Sequence, residues 1–98
     1  MIMYKFNLPV QCHALTFDER RNVRIQYIAL QKGKCMYCDC DLEGEPPPWI
    51  IEKGINWGLF PKNFLKYKIH LQHNHSTGFT EGVAHAYCNA VMWQYEQR

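Results

Sequence analysis

The chain has 98 residues, of which 47% are hydrophobic and 20% are charged, and its formal net charge is +2. This composition is typical of one globular domain and excludes a disordered chain. No apolar run approaches the ~20 residues that a membrane-spanning helix needs. The mildly basic charge permits a nucleic-acid partner but does not indicate one by itself.

Cysteine and histidine are clustered in this chain, which holds five of each. The N-terminal segment is a poor signal peptide, because Pro9 and polar residues interrupt it. We therefore expect a cytoplasmic protein whose thiols stay reduced. In such a compartment, clustered cysteines and histidines favour a metal site over disulfides.

The first predicted element is a helix over residues 17–31. Thr16 and Glu19 have the spacing of a capping box, and Gly33 is expected to end the helix. Apolar side chains recur at helical spacing and are expected to cover a small core. Three arginines on this helix are candidate contacts to nucleic-acid phosphates: Arg20, Arg21 and Arg24.

Residues 41–67 show no regular pattern. Three consecutive prolines at 46–48 exclude regular structure there, and large apolar side chains then alternate with glycine, proline and lysine. We expect a loop that is anchored by its apolar groups. The lysines of this region either form a solvated face or follow a phosphate backbone; they are Lys53, Lys62, Lys66 and Lys68.

The C-terminal third predicts a strand, a turn, a second strand and a helix. Polar and larger side chains alternate over 66–72, and a polar turn over 73–78 ends in glycine. A second short strand is expected over 79–86. Helical spacing of apolar groups follows, with the clearest pattern over 89–96.

Two short motifs predict a structural zinc site. Cys35 and Cys38 form a CxxC motif, and His85 and Cys88 form an HxxC motif. Two-residue spacing lets one turn direct both donors at a single ion, and two such pairs complete a tetrahedron without an open position. Buried thiols beside a core histidine are the alternative. Cys40 stays outside the predicted set, because a CxC pair is less usual around zinc.

Three histidines lie within six residues at the end of the first predicted strand: His70, His73 and His75. Alternation predicts that Gln72 shares a face with His70, opposite the other two histidines, unless the turn reorients them. Imidazoles exchange protons near neutral pH, so this cluster and Asn89 form a candidate hydrolytic site. Turn histidines without a chemical role are the alternative. A Cys12-His13 pair is a reserve set of donors.

Taken together, these residues resemble the HNH nucleases, in particular the phage recombination endonuclease VII branch. The resemblance rests on the CxxC motif, the segment His73-Asn74-His75-Ser76-Thr77-Gly78 and the segment His85-Ala86-Tyr87-Cys88-Asn89. It covers about residues 30–95 without 41–67. It implies a small α+β, zinc-stapled ββα-metal domain with an N-terminal helix, one HNH domain over 1–98 with its core at about 66–97. The implied function is a DNA endonuclease that hydrolyses phosphodiester bonds in the cytoplasm of a bacterial or phage-infected cell.

The resemblance also implies a role for individual residues. His73 would be the general base, and His75 would support the phosphate or position a metal ion. Gln72 and Asn89 would hold a catalytic Mg²⁺ or Mn²⁺. His85 stands where this family has a third zinc cysteine, which is a conservative change because imidazole binds zinc well. Gln72 stands where the family has an acidic residue, and Mg²⁺ prefers charged oxygen.

The uncharged amide of Gln72 leaves two alternative functions open. One is a zinc-stapled nucleic-acid-binding module whose catalytic site has decayed, and the other is a small zinc protein that mediates protein contacts. Glu81 and Asp39 are candidate replacement carboxylates. One active site makes one nick at a time, so double-strand cleavage by this chain would require a homodimer or two binding events.

Overall fold

The computed structural model describes residues 6–96 of the chain. The elements are α1 (Phe17–Leu30), α2 (Pro48–Ile51), β1 (Ile69–His73), β2 (Thr80–His85) and α3 (Ala86–Glu96), with single 3₁₀ turns at Cys12–Ala14 and Trp57–Leu59. The ends of the predicted 1–98 domain, residues 1–5 and 97–98, lie outside the described residues. Within 6–96, no helix has the length and apolar character needed to cross a bilayer.

Helix α1 begins and ends for reasons that its sequence makes plain. The Thr16 hydroxyl accepts a hydrogen bond from the Glu19 backbone N–H at 3.1 Å, and the Glu19 carboxylate accepts one from the Thr16 N–H at 2.9 Å. These bonds satisfy N–H groups that a helix start leaves unpaired. Gly33 has a φ of 74°, and its N–H donates to the Ile28 carbonyl at 2.9 Å. Such a left-handed glycine stops a helix, and the predicted helix is confirmed to within one residue.

Strands β1 and β2 form an antiparallel hairpin with a β-bulge. Ile69 lies opposite His85 at one end, and His73 lies opposite Thr80 at the other. The register shifts after Gln72, which lies opposite Gly82, so that Glu81 has no partner in the ladder. A bulge of this kind bends the strand and interrupts the alternation of side chains between the two faces.

The first strand starts three residues later than predicted. The predicted strand began at Lys66, whereas β1 begins at Ile69 because its partner strand ends at His85. Ala86 already belongs to α3, and its N–H donates to the Lys68 carbonyl at 2.8 Å. A strand without a partner has no ladder to join, so residues 66–68 stay irregular.

Part of the expected loop forms a single helical turn. Pro48 occupies the first helical position of α2, where its fixed φ suits a helix and its missing N–H costs nothing. This turn places Ile50 in the core with no exposed surface. The prediction of apolar anchors in this region is therefore confirmed for Ile50, whereas Trp49 and Ile51 remain exposed.

The core lies between α1, the hairpin and α3, and its largest apolar members are Val23, Tyr27, Leu42, Ile50, Val83 and Val91. Gln31 connects α1 to β2, because its side-chain oxygen accepts from the Val83 N–H at 2.8 Å and its amide nitrogen donates to the Val83 carbonyl at 3.0 Å. Gly82 makes room for this contact, since an added Cβ would lie 2.6 Å from the Gln31 oxygen. Helix α1 is thus fixed beside the hairpin.

Candidate metal centre and histidine groove

Four side chains form a cluster that can hold a metal ion such as zinc. They are Cys35 and Cys38 in the turn after α1, His85 at the end of β2, and Cys88 in the first turn of α3. Their ligand atoms all lie within 4.8 Å of one another. Cys40 is not part of the cluster; its backbone carbonyl instead accepts the Cys35 N–H at 2.8 Å and closes the turn.

The His85 ring is oriented to offer Nδ1 to a metal. Its Nε2 lies 2.8 Å from the Asp41 carbonyl, which only accepts hydrogen bonds, so Nε2 carries the proton. The lone pair of Nδ1 therefore points toward the thiols, 3.4 Å from Cys38 Sγ and 3.5 Å from Cys88 Sγ. Ordinary Zn–S and Zn–N distances at a tetrahedral angle give an S···N separation of about 3.5 Å. The donor set fits tetrahedral zinc.

The three thiols of the cluster are not equivalent. Cys35 Sγ accepts backbone N–H groups from Tyr37 and His85 at 3.4 Å each. A hydrogen bond from the Cys88 thiol is the largest cause that lowers the pKa of Cys35 to about 4, and the backbone donors act with it against the effect of burial. The same bond raises the pKa of Cys88, and burial raises that of Cys38 to about 11. Metal binding would therefore displace protons from two of the thiols.

A groove of about 290 Å³ lies beside the end of β1. Four residues with a predicted catalytic role line it: Gln72, His73, His75 and Asn89. Alternation predicted that Gln72 lies on the face opposite His73 and His75, yet all three residues line this groove. Phe60, Phe64 and Trp93 form its aromatic wall. We call this the histidine groove.

His73 lies beside two other histidines. Its ring stacks on that of His75 at 5.0 Å between centroids and 17° between planes, and meets the edge of His13 at 5.1 Å. Burial lowers the pKa of His73, and the charges of His75, His13 and Arg20 lower it further, against an opposing effect of Glu81. The neutral imidazole, which can accept a proton, is therefore favoured.

Asn89 is bonded to His70, a member of the predicted histidine cluster to which the family resemblance gave no individual role. His70 Nε2 lies 2.9 Å from the Phe64 carbonyl, so Nε2 carries the proton and Nδ1 accepts. The amide nitrogen of Asn89 lies 3.1 Å from that Nδ1 and must be the donor. The Asn89 carbonyl oxygen is then the atom available to a ligand. The sequence signal that pointed to His70 was its place in the histidine cluster at the end of the first strand.

Gln72 offers a poor ligand for magnesium. Its side chain is 3% exposed, and its amide nitrogen donates to the His73 carbonyl at 3.2 Å. None of the described residues that line the histidine groove carries a carboxylate. The candidate replacements do not change this, because Glu81 and Asp39 are exposed and lie outside the groove wall. The neutral amides present fit a hard divalent ion weakly.

The basic residues predicted to contact DNA occupy different surroundings. Arg20 and Arg24 line a second groove of about 370 Å³, which Arg21 does not line. Lys66 Nζ lies 5.6 Å from the ring centroid of the neighbouring tyrosine, and the Lys68 amine donates to a backbone carbonyl of the 41–47 loop. Among the described residues, these two lysines line neither groove.

Comparison with known proteins gives no relative for this chain. No protein-family model matches it. No curated protein and no solved structure matches it either. Its function is therefore inferred from the metal cluster and from the residues of the two grooves.

Proposed function

We propose that the chain is a metal-dependent DNA endonuclease of the HNH type that hydrolyses phosphodiester bonds. The observation that carries the proposal is the histidine groove, in which His73, His75, Gln72 and Asn89 meet. In the HNH pattern that the sequence resembles, the corresponding positions supply the base and the metal ligands. The groove joins the hairpin to α3, the two elements that also carry His85 and Cys88.

The metal cluster has a structural role in this proposal. Four protein donors leave no position for a substrate or a water molecule, which is typical of structural zinc. The ion would fasten the turn after α1 and the end of β2 to α3. A domain of this size buries a small core and gains stability from such a link. Because thiolate ligands must stay reduced, we place the protein in the cytoplasm.

Hydrolysis would begin at His73. As the neutral imidazole, it would take a proton from a water molecule that attacks phosphorus in line with the departing 3′ oxygen. His75 stacks on that ring and would hold its orientation or contact the phosphate. A bound divalent ion supplies charge neutralisation on the phosphate. With neutral Asn89 and Gln72 as its protein partners, the phosphate and water would provide most of its ligands.

A plasmid-nicking assay tests this function. We expect the zinc-loaded wild-type protein to nick supercoiled DNA when Mg²⁺ or Mn²⁺ is added, and not when added ions are omitted. His73→Ala should keep its zinc content and its DNA binding but lose nicking. Retained Mg²⁺-dependent nicking by this variant would reject the assignment. An EDTA arm needs a zinc measurement beside it, because EDTA also removes the structural ion.

The burial of Gln72 favours a second candidate function. An amide that is 3% exposed and bonded to its own strand stands where an acidic ligand is expected. A zinc-stapled module that binds nucleic acid without cutting it would retain every other feature of the two grooves. Salt-sensitive DNA binding by wild-type protein that nicks with neither Mg²⁺ nor Mn²⁺ would decide for this candidate.

A further inference from the structure

The second groove adjoins the histidine groove and shares Leu71 and His73 with it. Its polar wall consists of Arg20, Arg24, Tyr67, His13 and His70, together with the shared His73. None of the described residues that line it carries a carboxylate. We call it the arginine groove. Its two arginines therefore place positive charge in a groove that the proposed general base also lines.

The two arginines of this groove lie one helical turn apart. Arg20 and Arg24 are at positions i and i+4 of α1, so both project from the same face of the helix. Arg20 Nε donates to the Cys12 carbonyl at 3.4 Å. This contact holds one edge of its guanidinium group against the protein, while the same side chain still lines the groove.

The hydrogen-bonding capacity of Arg24 is less satisfied than that of Arg20. Its Nε is buried and has no hydrogen-bond partner in the described part of the chain. Burial also lowers the pKa of Arg24 against an opposing effect of Tyr67, and the charge of Arg21 acts with burial. A buried charged donor without an acceptor is costly, and an anion that accepts from the guanidinium group would offset that cost.

We infer that the arginine groove binds one phosphate group of the DNA. This phosphate flanks, on the same strand, the phosphate that lies beside His73. Guanidinium groups match phosphate oxygens with paired N–H donors, and two of them on one helix face give a site for one phosphodiester group. This inference rests on the proposed function. Arg20 and Arg24 would be positioning residues, because holding the flanking phosphate fixes where the scissile bond lies relative to His73.

Arg21 provides a matched control. The substitution Arg21→Ala removes the same charge from the same helix. Arg21 itself is exposed and lies outside the groove. Binding of a labelled DNA oligonucleotide, followed by fluorescence anisotropy without added Mg²⁺, compares Arg24→Ala, Arg20→Ala and Arg21→Ala. We expect each groove variant to raise Kd about tenfold, the loss of one charged hydrogen bond. The slope of log Kd against log salt should fall by about 1 for these two variants, whereas Arg21→Ala should keep both values.

Equal effects of Arg24→Ala and Arg21→Ala would overturn the inference. Zinc content and thermal unfolding identify a variant that has lost its fold. In that case Arg20→Ala and Arg24→Lys still test the site, because the lysine keeps the charge and loses the fork, and its affinity should remain below wild type.

A direct measurement on the wild-type protein completes the test. The Nε–Hε resonance of Arg24, observed by NMR, should move downfield when the oligonucleotide is added. Inorganic phosphate should move it only at much higher concentration. A resonance that moves with phosphate and stays unchanged with DNA would assign the groove to a small free anion and overturn the inference.

The outcomes separate this inference from the proposed activity. If the groove variants weaken binding but wild-type protein never nicks DNA, the endonuclease proposal fails and the phosphate site stands. If wild-type protein nicks DNA but Arg24→Ala and Arg20→Ala behave like Arg21→Ala, the phosphate site fails alone. For an active enzyme we also expect KM to rise in the groove variants more than kcat falls.

Discussion

The imidazole of His70 accepts a hydrogen bond from the side-chain amide of Asn89, across 3.1 Å between β1 and α3. Because the other ring nitrogen donates to the Phe64 carbonyl, the neutral tautomer of His70 is the one that fits both neighbours. This contact links the strand to the helix and orients the amide that is proposed to hold the catalytic ion. His70 is thus like His85, since in both rings Nε2 carries the proton and faces a backbone carbonyl.

We predict that His70 stays neutral below the usual pKa of histidine, near 6.5. Burial lowers the pKa of His70 against the hydrogen bond to the Phe64 carbonyl, which raises it, and the charge of Arg24 acts with burial. A folded-state pKa below the unfolded value gives stability that is present above about pH 6.5 and is lost as the pH falls toward the folded pKa. Histidine NMR titration measures this value directly.

Urea unfolding of His70→Gln checks the linkage. A glutamine can bond to both neighbours but does not titrate. Between about pH 7.5 and about pH 5.5, wild-type protein should therefore lose more stability than the variant. Acid release of the metal cancels in this comparison, since both proteins carry the same cluster. An identical pH dependence of the two would contradict the prediction.

Removal of the His73 imidazole should reduce nicking by a factor of about 10²–10⁴, the usual contribution of a general base. The lowered pKa of His73 predicts that activity rises with pH in a range below 6.5, the usual value. Because Glu81 raises this pKa and Arg20 lowers it in the free protein, Glu81→Gln should move the acid limb of kcat/KM to lower pH and Arg20→Ala should move it to higher pH. Movement in the same direction by both variants would speak against His73 as the titrating base.

The metal cluster predicts different outcomes for Cys88, which belongs to it, and for Cys40, which does not. Cys88→Ala should lose zinc and lower Tm sharply, because the apparent binding free energy of structural zinc, about 10–16 kcal/mol, is also folding free energy. Cys40→Ala should keep one zinc per chain, because the Cys40 thiol is not part of the cluster and its hydrogen bond to Cys35 uses the backbone carbonyl. Mass spectrometry of intact protein counts the metal.

His85→Cys gives a third arm to that experiment. Four thiolates also form a tetrahedral zinc site, so this variant should retain the metal. It loses the hydrogen bond to the Asp41 carbonyl, which orients the imidazole in the wild-type protein. Loss of zinc from both Cys40→Ala and Cys88→Ala would show that the donor set is different from the one proposed.

Local rules predicted much of this fold. The capping box at Thr16 and the glycine after α1 depend on neighbouring residues, and both appear where the sequence places them. The zinc donors likewise follow from two-residue spacing within two turns. The CxxC and HxxC pairs are about fifty residues apart in the sequence. Their clustering was nevertheless predictable, because all four side chains are of types that bind the same metal ion.

The features that the sequence did not predict depend on contacts between distant elements. The start of β1 is set by where β2 ends, and the bulge that leaves Glu81 without a partner appears only in the pairing of the two strands. The His70–Asn89 contact depends on how α3 packs against β1. None of these has a signal in the spacing of residues along one element.

Gln72 supplies the last prediction, which separates an active enzyme from a decayed one. Gln72→Glu places a carboxylate of the same length in the groove wall, where burial penalises the unpaired charge. Without Mg²⁺ the variant should therefore be less stable than wild-type protein, and added Mg²⁺ should restore its Tm, because a ligand of the folded state alone stabilises it. Nicking at limiting Mg²⁺ should rise as well. Gln72→Met, of similar volume and without charge, controls for packing, and it should show no Tm response to Mg²⁺. If Gln72→Glu also shows none, residue 72 is not a metal ligand in this chain.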